Sequence, residues 1–530
     1  MSGLRPHAIF AVVAAATVAA YLPSFRVPFQ FDDYGRIIDN GPLQQGDLWG
    51  GIRWLGSSRP IPSATIALNY LAGQDDPFGY HLINLIVHLL ATLGVFQLAR
   101  LLCRTPALRG SGLDERQVAF ASAAAFVFAC HPLQTQAVTY IIQRSAAMAA
   151  LFYVWSVAAY VAARNRADAG ESPGGVYAAA VLLAVCAVLS KESAITLPVA
   201  IVLTEWVFFG LRVEIRKAAP FAAAGLFILL LPVLWKGVAA SSMRNDLASL
   251  PLFERLTRGL FSQGVPDTPD VTSGEYFLTQ TIVLPRYLRL VVLPAGLNVD
   301  HDVAIQHGVS AAAVAGIAFL TALALAGLAA VRRSPVVAYG ILWFFVASSV
   351  ESSILPISDP MMEHRMYLAM PGIALGAAAI LLSVARRQRA IGAALAGLFF
   401  VLLPSLTFAR NRTWQTPLSL WGDALLKSPH KARVHVNVGV AHHGIGKLDD
   451  AMRHYCIALD LDPKIAVARD NLEAVLDEQG KLDAAITQAM RTPQNVDRRP
   501  DGTVQVEYDV ARIVCPPILR QAALRGGATE

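Results

Sequence analysis

Long apolar runs constrain this chain more than any other feature. Eleven of them, at residues 8–23, 82–101, 117–131, 146–163, 176–190, 193–210, 219–238, 309–331, 336–351, 366–385 and 390–408, alternate with more polar connections, most of them short. Each approaches the roughly 20 residues that a helix needs to cross the hydrocarbon of a bilayer. No water is available there, so every backbone N–H and C=O must be satisfied within its own segment, and such runs fold as helices. Composition agrees: of 530 residues, 55% are hydrophobic and only 15% charged. A polytopic membrane protein is expected, not a large soluble enzyme.

Positive charge then orients the spans. The net charge is +6, and the excess lies in short loops, where it sets topology and gives no reason to invoke nucleic acid. Arg100, Arg104, Arg109 and Arg116 follow the second run, Arg164 and Arg166 the fourth, and Arg212, Arg216 and Lys217 the sixth. Arg332 and Arg333 follow the eighth run, and Arg386, Arg387 and Arg389 the tenth. All five loops share one side if the N-terminus is cytoplasmic. The first run, preceded by Arg5 and lacking a small-residue cleavage site, reads as a retained helix. The stretch Tyr276 to Pro294 is interrupted by Arg286 and Arg289, and reads as an interfacial or re-entrant helix on the outer side. Counting it as a twelfth span would strand Arg332 and Arg333 outside.

With this topology the polar clusters collect on the outer face. They are Asp32-Asp33, Arg59, Tyr80-His81, His131 to Arg144, Lys191-Glu192, Asn298 to Asp302 and Glu351 to Tyr367. The adjacent carboxylates of Asp32 and Asp33 are suited to acid–base work, because each raises the cost of ionising the other. A divalent cation near them is an open option. Arg365, Arg144, Arg59 and Lys191 are suited to an anionic group, the arginines through their planar fork. Plainer readings stand beside these. Asp32-Asp33 can cap a helix, Lys191-Glu192 can be a local ion pair, and His131 can cap a span end before Pro132. His81 and His88, seven apart on one face, suit packing better than metal ligation. Asp300-His301-Asp302 reads as a flexible outer loop rather than a metal cluster. No Walker loop, GxGxxG before a strand, or HExxH occurs, which argues against a nucleotide-driven pump or a zinc protease. Cys130 and Cys186 read as small hydrophobes, whereas Cys456 and Cys515 could pair if the C-terminal part is extracytoplasmic.

After Phe408 the chain becomes soluble in character and repeats. Asn437 and Asn471, Gly446 and Gly480, Leu448 and Leu482, and Asp449 and Asp483 are each 34 apart, the tetratricopeptide period. The expected fold class is therefore all-α: a polytopic membrane bundle over 1–410, a small tetratricopeptide-repeat α-solenoid over 411–490, and an extension over 491–530.

The ordered set of motifs resembles the transmembrane and tetratricopeptide repeat (TMTC) proteins, glycosyltransferases of the GT-C type. The stretches are Phe31-Asp32-Asp33-Tyr34 through Asn40, Arg59-Pro60 with Asn69-Tyr70, and Gly79-Tyr80-His81-Leu82-Ile83-Asn84 with His88. They continue through His131-Pro132 to Val138, Lys191-Glu192 to Pro198, and Glu351-Ser352-Ser353 to Glu363-His364-Arg365 and Tyr367. The resemblance implies a polyprenyl-phosphate sugar donor and an inverting transfer to an acceptor hydroxyl, a Ser or Thr of exported proteins presented by the repeats. It implies a catalytic carboxylate at Asp32 with Asp33 beside it; with such a donor, Arg365, Arg144, Arg59 and Lys191 are the candidates to hold its phosphate. Tyr80, His81, His131, Gln136, Glu192, Glu363 and His364 would position substrate. Gln136 departs from the family, whose animal members carry Glu there. The implied location is the cytoplasmic (inner) membrane of a bacterium, in contact with lipid, with site and repeats periplasmic. The alternatives are a membrane-anchored repeat scaffold, or a transferase acting on lipid or polysaccharide.

Overall fold

The computed structural model describes residues 6–56, 58–210, 271–352, 356–490, 495–498, 504–507 and 510–526. The chain divides into two compact units, Met1–Leu297 with Val303–Arg412, and Asn298–Asp302 with Thr413–Glu530.

The first unit is a multi-pass helical bundle. Among the described residues, seven helices are long and apolar enough to cross a membrane: Pro6–Arg26, Pro77–Leu102, Ile141–Asp168, Glu192–Phe209, Ala311–Ala330, Met370–Arg387 and Arg389–Thr413. Two shorter apolar helices, Gly174–Val188 and Pro335–Ser348, stand at other expected spans. The run at 117–131 becomes a broken pair, Gln117–Cys130 and Pro132–Thr139, bent by 52°. Proline causes the break: Pro132 offers no N–H, and its ring drives His131 into extended backbone (φ −77°, ψ 127°). The expected span at 219–238 lies outside the described residues. Ser273–Val292 is a 20-residue helix opened by a Thr272/Glu275 capping box. It is not among the apolar spanning helices.

Small residues and a few polar bonds hold the bundle together, as expected where lipid supplies no hydrophobic drive between helices. A Cβ at Gly340 would come within 2.5 Å of the Gly372 carbonyl oxygen, so these two helices touch backbone to backbone. Asn411 donates to the Ala20 carbonyl (3.1 Å), and Thr407 donates to the Cys130 carbonyl (2.7 Å), tying the last helix to the first and to the broken pair. Glu205 accepts from Tyr160 (2.8 Å) and from two nitrogens of Arg164 (both 2.9 Å), so its buried charge is paired.

The second unit is built from successive helices Pro417–Lys427, Ala432–His443, Leu448–Leu461, Ala466–Glu478 and Leu482–Met490. The starts at 432 and 466, and at 448 and 482, reproduce the 34-residue period. Gly446 and Gly480 turn the chain between paired helices at φ +73° and +64°, values that L side chains resist. Gly439 is small because the Tyr455 ring would lie 2.4 Å from a Cβ there. The extension adds one non-helical element, an antiparallel ribbon of Asn495–Arg498 with Val504–Glu507. A final helix, Ala511–Gly526, is bonded to Leu448–Leu461 through a Cys456–Cys515 disulfide.

Asn298–Asp302 corrects an expectation. It is not a flexible loop but an anchored part of this second unit. Asp300 is 2% exposed and accepts from Lys431 Nζ (2.5 Å), Arg433 Nε (2.8 Å) and Arg433 Nη2 (2.7 Å). Burial alone would raise its carboxyl, but hydrogen bonds and charge from Arg433, then Lys431, outweigh that and hold it below the usual carboxylate range.

Candidate active site

The connection after the first span folds on a small apolar core of its own: Phe29, Ile37, Leu43, Leu55 and Ile66 with Tyr80 and Ile141. Within it the chain makes a sharp turn. Phe31 sits in the left-handed region at φ 52°, uncommon for a bulky residue and worth roughly 1–2 kcal/mol of strain. Two bonds hold that turn: Asp33 N–H to the Gln30 carbonyl (2.9 Å) and Gln30 N–H to Asp33 Oδ2 (3.1 Å). A π-helical turn, Tyr34–Ile38, follows, a rare conformation that recurs at functional sites.

The turn divides the labour of the two carboxylates. Asp33 is 1% exposed, and its other oxygen accepts from Ile142 N–H at 2.9 Å. Burial pushes its carboxyl up to about 8, against the lowering effect of its backbone hydrogen bonds. Asp33 is thus a latch between the turn and residue 142. Asp32 stays exposed to solvent. Its N–H donates to Tyr140 Oη at 2.9 Å, and its side chain also hydrogen-bonds that phenol. Of the pair, Asp32 alone presents its carboxylate outward.

Three of the four expected phosphate-binding cations lie together. Arg59 pairs with Glu192 through Nε and Nη2, both at 3.0 Å. Lys191 Nζ pairs with Glu351 at 2.6 Å. The local Lys191-Glu192 pair read from sequence is therefore replaced by two longer-range pairs. Arg365, 9% exposed, donates to the Pro360 carbonyl at 3.3 Å. Burial opposes its charge, but Tyr276, Tyr287, Glu351 and Asp359 outweigh that and hold its pKa above the ordinary arginine value. The imidazole of His364 lies within the field of all three cations. Burial first, then Lys191, Arg365 and Arg59, drive it well below its usual pKa, so it is neutral. Lys191 is itself lowered, by burial and by the neighbouring arginines, against the pull of Glu351.

Arg144 does not join this cluster. Fully buried, it donates to Asn84 Oδ1 (2.6 Å), Thr65 Oγ1 (3.2 Å) and the Tyr80 carbonyl (3.1 Å), and lies 5.9 Å from the Tyr80 ring centroid. Three of its five N–H groups are committed to joining three helices, and the structure does not bring it together with the other three cations. Tyr80 (0% exposed) bonds the Gln74 carbonyl, and His81 the Val27 carbonyl at 2.8 Å; both shape the first connection from inside. His131 caps Leu133 N–H (3.2 Å) and meets the Val291 carbonyl (2.9 Å), the structural role weighed for it from sequence. Glu363 is buried beside His364 in the Glu363–Tyr367 turn. His88 bonds Tyr367 Oη (2.7 Å) and the Ala129 carbonyl (3.0 Å), as a packing histidine.

One segment joins the carboxylate to the cations. Gln136 Oε1 accepts His364 N–H at 2.8 Å, while Tyr140 holds Asp32 and Ile142 holds Asp33. The helix Thr135–Thr139 and its C-cap Tyr140 therefore link the turn that carries Asp32 to the turn that carries His364 and Arg365. Sequence reasoning missed Tyr140, Tyr276 and Tyr287. The only available signal was their position inside or beside the polar clusters. Both Asp33 oxygens accept from backbone N–H groups, and among the described residues no three His, Cys, Asp or Glu side chains are grouped to hold a metal ion.

No family model matches the chain. Curated relatives do. It is 25% identical over 486 residues to protein O-mannosyl-transferase F38B6.6 of Caenorhabditis elegans, covering 85% of this chain and 62% of that protein. It is 24% identical over 510 residues to human protein O-mannosyl-transferase TMTC3 (87% and 52%), and 27% identical over 523 residues to human TMTC1 (89% and 57%). The chain thus spans between half and two thirds of the length of these relatives. Among solved structures, the archaeal oligosaccharyltransferase AglB of Archaeoglobus fulgidus, in complex with an inhibitory peptide and a dolichol-phosphate, aligns at TM-score 0.46 and 14% identity, covering 95% of this chain and 74% of that one. Over most of its own length, this multi-pass membrane protein is similar to the TMTC protein O-mannosyl-transferases.

Proposed function

We propose that the chain is an integral-membrane glycosyltransferase that moves one sugar from a polyprenyl phosphate to an acceptor hydroxyl, a Ser or Thr of an exported protein. The observation that carries this reading is one short segment bonded to Asp32 through Tyr140 and, through Gln136, to the turn of His364 and Arg365, with Arg59 and Lys191 acting on that same histidine. In the transfer, the acceptor oxygen attacks the anomeric carbon and its proton passes to Asp32. The bond from that carbon to the phosphate oxygen breaks, and its electron pair leaves with the phosphate. The three cations stabilise that developing charge in a water-poor setting. A single displacement inverts the anomeric centre. Arg365 is the central phosphate ligand, since Arg59 and Lys191 each already share a carboxylate. The named relatives, all protein O-mannosyl-transferases, support a protein acceptor, and the helical repeats of the second unit are suited to presenting it.

The proposed setting is the cytoplasmic membrane, with site and repeats on the outer side. The Cys456–Cys515 disulfide supports this side for the second unit, because such bonds persist in oxidising compartments. The test is release of polyprenyl phosphate by full-length protein in lipid, across a panel of polyprenyl-phosphate sugars, for wild type beside Asp32→Asn. Release by wild type with loss of at least a hundredfold in the variant is expected. Equal release by both, or a product that keeps the donor anomer, overturns the reading.

A further inference from the structure

The broken helix pair contributes more than a bend. We infer that Gln136 and Tyr140 are paired positioning residues that set the distance between the base at Asp32 and the donor phosphate at Arg365. The inference rests on the proposed function and adds to it two residues with one shared task.

Tyr140 grips Asp32 at two points. Its oxygen accepts the Asp32 N–H at 2.9 Å, which leaves the phenol proton free to donate, and the Asp32 side chain takes it. One phenol therefore fixes both the backbone and the carboxylate of the same residue. Gln136 grips the other side. Its Oε1 accepts His364 N–H at 2.8 Å and lies 3.2 Å from His364 Nδ1, one residue before Arg365. Both side chains are buried, Gln136 at 1% and Tyr140 at 2% exposure, so neither is a solvent-exchanging contact. Gln136 lies within the short helix Thr135–Thr139 and Tyr140 caps its end, so the two side chains project from one short element. The segment itself is anchored at both ends. Thr139 bonds Asn411 at 2.5 Å, and Ile142 N–H bonds the buried Asp33. A neutral amide suits position 136, because it can accept the His364 N–H without drawing a cation away from the donor phosphate.

The test compares Tyr140→Phe, Gln136→Ala and the double variant in the full-length protein in lipid, by release of polyprenyl phosphate from the donor that wild type uses. A hydrogen bond to a charged group corresponds to roughly 10- to 100-fold in rate. Tyr140→Phe should lower kcat by that factor with donor KM within about twofold, and should move the acid limb of the pH–rate profile upward, since the Asp32 carboxylate loses a donor. Gln136→Ala should lower kcat similarly. The double variant should lose no more than the worse single variant, because either break releases the same distance. Losses that multiply, an effect confined to KM, an unmoved acid limb, or wild-type kcat in Tyr140→Phe each overturn the inference. If Gln136→Ala does not fold, the pH limb of the isosteric Tyr140→Phe decides alone. Wild type and Asp32→Asn that behave alike would instead mark failure of the transferase reading.

Discussion

Cutting the Cys456–Cys515 bond should release the C-terminal helix, and the size of the effect follows from the fold. Ala511–Gly526 carries Pro516 and Pro517 in its interior, each lacking an N–H and crowding the preceding turn, so this helix is a poor one in isolation. It is held by docking: Val510, Ala511 and Cys515 are buried against the helix Leu448–Leu461, with Ile513, Val514, Ile518 and Leu519 packed around them. The disulfide closes a loop of 59 residues. The chain-entropy relation gives about 4 kcal/mol for that length, a factor of roughly a thousand in the opening equilibrium. Cys515→Ser is the informative variant, because Cys456 is wholly buried and its loss would add a cavity. The assay is amide hydrogen exchange of the full-length protein in detergent, read peptide by peptide. Exchange across Ala511–Gly526 should accelerate by up to about a thousandfold in Cys515→Ser, while peptides of the first unit stay unchanged. Without reductant, neither cysteine should alkylate. Ready alkylation of both in unreduced protein, or exchange within about twofold of wild type in the variant, would refute the reasoning.

Two further outcomes follow from buried groups. Asp33→Ala leaves the Gln30 and Ile142 N–H groups without their acceptor and should destabilise the first unit by roughly 2–6 kcal/mol, whereas Asp33→Asn keeps an acceptor and should cost less than about 2 kcal/mol. Because burial raises the folded carboxyl from its ordinary 3.8 to about 8, the folded state holds the extra proton between those values. The contribution is complete below pH 3.8 and is lost as pH rises through 8, so thermal midpoints of wild type should fall from pH 5 to pH 9, and Asp33→Asn should flatten that slope. A wild-type slope unaffected by the substitution would refute this. Gly340→Leu would drive a side chain into the Gly372 carbonyl and should destabilise the bundle by about 1–3 kcal/mol or more, read as a lower thermal midpoint in detergent. An unchanged midpoint would show that these helices do not cross as closely as described.

Some of this protein was determined by its sequence alone, because the determinants are local. The spans follow from run length, and the break at His131 from the proline after it. The repeat follows from a 34-residue period that places Gly446 and Gly480 at equivalent turns. The site was legible only as a set of polar clusters and an ordered resemblance. Tertiary structure decided what each member of that set does. Asp32 and Asp33 are identical in type and adjacent, yet one faces solvent and the other is sealed, because a left-handed Phe31 and the distant Ile142 N–H turn the chain between them. Lys191 and Glu192 are neighbours, yet they pair with Glu351 and Arg59. Arg144 reads like Arg365 in sequence, but three of its five N–H groups go to Asn84, Thr65 and Tyr80. In each case the partner is far along the chain. A charge in a membrane protein takes its role from the group that compensates it, and which group that is depends on how the helices pack.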